Sequence, residues 1–158
     1  MQSSENNPLK EMIYSDTILL DAEVKDWQEA VRVSGELLVK TGAVEARYVD
    51  AMIDTVKSMG PYAVIAPGVA LPHARPEDGV KKPCMSLVTL KTPVNFGNNG
   101  NDPVKLVVAF ATIDKNAHVK ALTRLARILG DPEKVEALKN AKDKRLVEEI
   151  IASPIKGI

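Results

Sequence analysis

The sequence predicts a layered α/β domain built around a central sheet, because its hydrophobic period changes twice along the chain. Residues 26–59 repeat apolar positions at helical spacing, residues 62–111 break into short β-branched or apolar runs separated by Pro and Gly, and helical spacing returns after residue 117. Helices before and after a block of strands favour a sheet covered by helices. The 158 residues fit one domain, residues 1–158, with a single real core.

The first eight residues, MQSSENNP, are polar and read as a disordered tail. Thr17 to Leu20 form a short apolar run that suits a first strand. Asp26 then offers an N-cap, with Glu29 three residues on as in a capping box, and Trp27, Ala30, Val31, Ser34, Leu37 and Leu38 follow at helical spacing until Gly42. A second helix spans about Glu45 to Met59, with Tyr48, Met52, Ile53, Val56 and Met59 on one stripe, and Gly60-Pro61 stops it. Tyr62 to Ala66, Val69 to Leu71, Ser86 to Leu90 and Val104 to Ala111 read as strands. Ala117 to Leu129 carries Val119, Leu122, Leu125, Ala126 and Leu129 on one helical face. Asp131-Pro132 supplies an N-cap with proline at the first helical position, and a last helix fits about Lys142 to Ile151.

Composition excludes several classes of function. Basic and acidic residues balance at 21 each, so no global positive field gathers nucleic acid or an anionic membrane. The basic run from Lys139 to Arg145 is broken by Asp143 and followed by Glu148 and Glu149, which suits a solvated helix face. The single cysteine, Cys84, rules out an internal disulfide and suits a reducing compartment. No His/Cys cluster has metal-ligand spacing, no segment has the length and apolarity of a membrane span, and no signal-peptide core opens the chain. A cytoplasmic protein without metal or cofactor is expected.

The chain has two histidines, His73 and His118. His73 follows a strand-like run inside Pro67-Gly68-Val69-Ala70-Leu71-Pro72-His73-Ala74-Arg75-Pro76, where Pro72 fixes its own φ and Pro76 restricts Arg75. A stiff loop holds an imidazole in one orientation. An unperturbed histidine is mostly neutral at cytosolic pH, and if its Nδ1–H donates to a carbonyl, Nε2 is left as the nucleophile. An incoming phosphoryl group then calls for nearby donors. Arg75 and His118, the latter near the start of the Ala117 to Leu129 helix, are the candidates. Taken singly, a loop histidine serves as often in ordinary hydrogen bonding, Arg75 reads as a surface charge, and His118 as a capping or surface residue.

The order of residues is more informative than any one of them. Gly68-Val69-Ala70-Leu71-Pro72-His73, together with Tyr48-Val49-Asp50-Ala51-Met52, Pro93-Val94 and Ala117-His118-Val119-Lys120-Ala121-Leu122-Thr123-Arg124-Leu125, resembles the IIA domains of the bacterial phosphoenolpyruvate-dependent sugar phosphotransferase system, fructose/mannitol class. The resemblance runs from about residue 16 to 151, and Pro72-His73-Ala74-Arg75-Pro76-Glu77 looks most like the ascorbate-specific branch. It implies a central mixed β-sheet with helices on both faces. It also implies that His73 is the phosphorylated histidine, receiving phosphate from the histidine phosphocarrier HPr and giving it to a cysteine of a IIB subunit that serves a membrane IIC subunit. His118 matches the second active-site histidine. Mannitol-type members place an arginine where this chain has Thr55, so either Arg75 or backbone donors take that role, or phosphohistidine is stabilised less strongly here.

Three other readings compete. A metal hydrolase lacks HExxH-like spacing around carboxylates such as Asp78 and Asp114. A Cys84–His73 nucleophilic pair meets the objection that Cys84 opens an apolar strand, where an inert buried thiol is the commoner outcome. A regulatory module phosphorylated at His73, whose output is binding to a partner protein, is the serious alternative. Oligomeric state is not set by the sequence, and a homodimer is allowed.

Overall fold

The computed structural model describes residues 9–13, 15–60 and 63–152; the tail expected at residues 1–8 and the Tyr62 start of the second expected strand lie outside them. Among the described residues, five strands make one mixed sheet in the order β1-β4-β5-β3-β2: β1 (Ile18–Ala22), β2 (Val64–Ala66), β3 (Val69–Ala70), β4 (Cys84–Val94) and β5 (Val104–Ala111). β1 runs parallel to β4 and β3 parallel to β5, while β4 and β5, and β2 and β3, pair antiparallel. The expected α/β architecture is the one observed.

Side chains alternate across the strands, so each long strand feeds two apolar layers. Cys84, Val88, Leu90, Val107 and Ala109 pack with α1 (Trp27–Lys40) and α2 (Ala46–Met59). On the opposite face Met85, Leu87, Leu106, Val108 and Phe110 pack with α3 (Lys115–Leu129), α4 (Pro132–Lys139) and α5 (Lys144–Ala152). Burial on both faces explains why β4 and β5 read as continuous apolar runs rather than alternating ones.

Local chemistry sets the helix ends. Asp26 accepts from the Glu29 amide at 2.9 Å, and the Glu29 carboxylate accepts from the Lys25 amide at 2.8 Å, one residue before the position of an ideal capping box. Asp131 caps α4 through the Glu133 amide at 3.0 Å, with Pro132 at the first helical position. α3 begins two residues earlier than its apolar stripe suggests, because Asp114 accepts from the Ala117 amide at 2.8 Å and so starts the helix at Lys115.

Candidate functional site

The segment carrying His73 is fixed from both sides. Gly68 adopts φ of 75°, a left-handed conformation that favours glycine, and a Cβ there would lie 2.6 Å from the Lys139 ammonium nitrogen. Its amide donates to the Asn101 carbonyl at 2.8 Å, and its own carbonyl accepts from the Lys105 and Leu106 amides. β3 therefore enters the sheet beside β5 in a set register, and the Leu71 amide donates to the Ala63 carbonyl at 2.7 Å. Pro72 comes next without a donor. His73 then forms an isolated parallel bridge with Phe110 on β5.

The His73 ring is half-buried, and its Nδ1 lies 3.0 Å from the Leu71 carbonyl. A carbonyl can only accept, so this contact puts the proton on Nδ1 and leaves Nε2 with its lone pair. Burial pushes the His73 pKa below the ordinary value of 6.5, His118 nearby adds to that shift, and the Leu71 carbonyl opposes it. The imidazole is thus held neutral more firmly than a solvated one.

His118 lies in the first turn of α3 and comes within 5.1 Å of His73, ring centroid to ring centroid. Phe110, fully buried, touches both rings, at 4.9 Å from His73 and 5.1 Å from His118. The two histidines, 45 positions apart in sequence, meet over one aromatic floor. The amides nearest His118 are not free for an anion: that of Ala117 donates to the Asp114 carboxylate and that of His118 to the Asp114 carbonyl at 3.0 Å.

Arg75 is engaged elsewhere. Its guanidinium donates to Asp78 through Nε at 3.3 Å and Nη2 at 3.2 Å, and Glu77 lies 3.7 Å away. These carboxylates raise the Arg75 pKa, and Arg75 in turn holds Asp78 below the ordinary carboxylate value. The side chain stays exposed, closing a short 3-10 turn at Pro76–Asp78.

Beside His73 opens a mostly apolar cleft lined by Thr55, Val56, Met59, Gly60, Ala63, Leu71 and Pro72. Thr55 lines it but spends its hydroxyl on the Ala51 carbonyl at 2.8 Å, and among the described residues no cationic side chain lines it. Cys84 is buried in the other layer, its thiol 3.7 Å from the Thr41 hydroxyl, and burial raises its pKa. No group of three or more metal-ligating side chains occurs among the described residues, and no helix there is long and apolar enough to cross a membrane.

Two residues of the site were not singled out by sequence. In the sequence Phe110 reads as one more strand residue and Tyr48 as part of a helix stripe. Tyr48 is fully buried, yet its oxygen donates to the Phe110 carbonyl at 2.8 Å and accepts from the Ala74 amide at 3.0 Å. Tyr, rather than Phe, on a buried stripe is the one signal in the sequence that could mark it.

Known proteins share this arrangement of chain. Residues 11–153 match the family described as phosphoenolpyruvate-dependent sugar phosphotransferase system, EIIA 2. An ascorbate-specific phosphotransferase system EIIA component of Escherichia coli K12 is 43% identical over 136 residues, covering 85% of this chain and 88% of that protein. The solution structure of a mannitol-specific cryptic phosphotransferase enzyme IIA from E. coli superposes with a TM-score of 0.82 at 35% identity, covering 92% of this chain and 98% of the other. The E. coli complex of enzyme IIAMTL with phosphorylated enzyme IIBMTL matches with a TM-score of 0.79 at 31% identity, covering 89% and 96%. With most of its length matched by the family and curated relatives well above 30% identity, this chain belongs to the EIIA 2 family of the phosphoenolpyruvate-dependent sugar phosphotransferase system.

Proposed function

We propose that this protein is a phosphocarrier in which His73 Nε2 takes a phosphoryl group from phospho-HPr and gives it to a cysteine of a IIB subunit. The observation that carries the reading is the contact of His73 Nδ1 with the Leu71 carbonyl, which leaves Nε2 unprotonated beside His118. In the first step the Nε2 lone pair forms the new N–P bond as the donor's own N–P bond breaks, and the donor imidazole recovers its electron pair. Nδ1–H stays on the Leu71 carbonyl, which spreads the positive charge that develops on the His73 ring. In the second step a IIB thiolate attacks phosphorus, the Nε2–P bond breaks, and His73 returns neutral.

His118, its ring centroid 5.1 Å from that of His73, is the candidate donor to the transferring oxygens. Arg75, held by Asp78, would have to leave that carboxylate to take part, so it is the weaker of the two phosphate-stabilising candidates. A IIB partner is favoured by the likeness to the IIAMTL–IIBMTL complex, and L-ascorbate as the transported compound by the names of the curated relatives. A membrane IIC subunit would be served indirectly, from the cytoplasm.

The test is transfer. The chain is phosphorylated with phosphoenolpyruvate, enzyme I and HPr, then mixed with the IIB protein of an ascorbate system. Phosphate moving to the IIB cysteine is the expected result. Phosphate that stays on the chain would contradict the carrier role and favour a regulatory module.

A further inference from the structure

We infer that Tyr48 is a positioning residue for the histidine pair: one buried hydroxyl ties the backbone just after His73 to the strand end from which the His118 helix departs. The inference rests on the phosphocarrier reading above for its kinetic consequence, though not for its geometry. Tyr48 lies on α2 with no exposed surface. Its Oη sits between two strands of backbone that are far apart in sequence. Ala74, whose amide donates to Oη at 3.0 Å, follows His73 directly. Phe110, whose carbonyl accepts from Oη at 2.8 Å, is the residue bridged to His73 and the floor of both rings.

From Phe110 the chain needs only Ala111, Thr112 and Ile113 to reach Asp114, the N-cap of α3, and His118 stands in the turn that follows. The Ala74 carbonyl lies farther from Oη, at 3.3 Å, so the single hydroxyl proton goes to Phe110. Burial raises the phenol's pKa, which keeps it a neutral group that both donates and accepts. A phenylalanine would fill the same apolar space. The hydroxyl instead bonds two buried backbone groups, one in the segment that follows His73 and one on the strand that leads to the His118 helix. Tyr48 acts on the imidazoles through backbone.

Tyr48→Phe, which keeps the ring and removes the oxygen, tests this against Met52→Ala, a buried change on the same helix and in the same apolar layer. Per folded molecule, Tyr48→Phe should lose roughly 10- to 100-fold in kcat for acceptance from phospho-HPr with KM little changed. The ring resonances of both His73 and His118 should move. Met52→Ala should keep the wild-type kcat and ring resonances. Equal kcat losses in the two variants, or unmoved ring resonances in Tyr48→Phe, would overturn the inference. The resonances are read without HPr, so a wild-type chain that takes no phosphate at all sinks the carrier reading while leaving the positioning role to be judged by them. If Tyr48→Phe does not fold, hydrogen exchange of the wild-type chain decides. The Ala74 amide should exchange as slowly as the amides of β5, and exchange at the rate of an exposed loop amide would overturn the tie.

Discussion

The rings of His73 and His118 lie 5.1 Å apart between centroids, inclined at 52°, and both rest on Phe110. At that spacing His118 helps to hold the His73 pKa down, and a group bound to one ring is within reach of a donor on the other.

Replacing His118 with alanine should slow phosphoryl acceptance by roughly 100- to 1,000-fold, the range seen when one preorganised donor is lost from a charge-developing site. Thermal stability should change far less. The same variant removes both a neighbouring charge and part of the cover over His73, so the His73 pKa should rise. A stopped-flow acceptance rate equal to wild type, or an NMR titration of His73 that does not move, would count against the pairing.

Stability should fall as the solution is acidified below about pH 6.5, the ordinary histidine value. His73 is held below that value in the fold, so the unfolded chain takes up a proton there that the folded chain resists. The unfolded state binds more protons, and unfolding free energy therefore rises with pH. The His73 contribution is fully present above about pH 6.5 and is lost as pH falls through the folded pKa. Urea midpoints measured on either side of this window should show a slope that flattens in His73→Ala.

Thr55→Arg should lengthen the life of the phosphorylated form severalfold, because it brings a guanidinium to the wall of the cleft beside His73, where the present lining has no cation. The variant is read by the decay of acid-labile phosphate after the phosphoryl donor is removed. A faster decay would show that Thr55 does not face the phosphoryl group.

Cys84→Ser should leave phosphoryl acceptance within about twofold of wild type, as expected of a thiol outside the transferring site. In the native chain the thiol should label slowly with alkylating reagents, since it is buried and its pKa is raised by burial. Rapid labelling at neutral pH, or loss of phosphorylation in the serine variant, would revive a cysteine-based mechanism.

Much of the architecture was legible because it depends on neighbours in sequence. The Asp26–Glu29 cap, the Asp131-Pro132 start and the apolar runs of β4 and β5 are local signals, and each falls where its element is found. The apolar stripe of α3 begins after its true start because its first residues, Lys115 and Asn116, are polar, and only the cap at Asp114 marks the helix end. In the site, the Nδ1 contact of His73 spans two residues and follows from the stiff Leu71-Pro72-His73 path. The engagement of Arg75 is also local, since Asp78 stands three residues on and a carboxylate at that spacing competes with any phosphoryl group for the guanidinium. The partners of the Tyr48 hydroxyl, Ala74 and Phe110, stand 26 and 62 residues away, and Phe110 gains its meaning from the packing of His73 and His118 on it, so neither role follows from neighbours in sequence.

Locating the phosphoryl group after incubation with phosphoenolpyruvate, enzyme I and HPr tests the account most directly. Acid-labile phosphate on Nε2 of His73, absent from a folded His73→Ala variant, is the predicted result. Phosphate on Nδ1 or on His118, or undiminished labelling of the alanine variant, would contradict it.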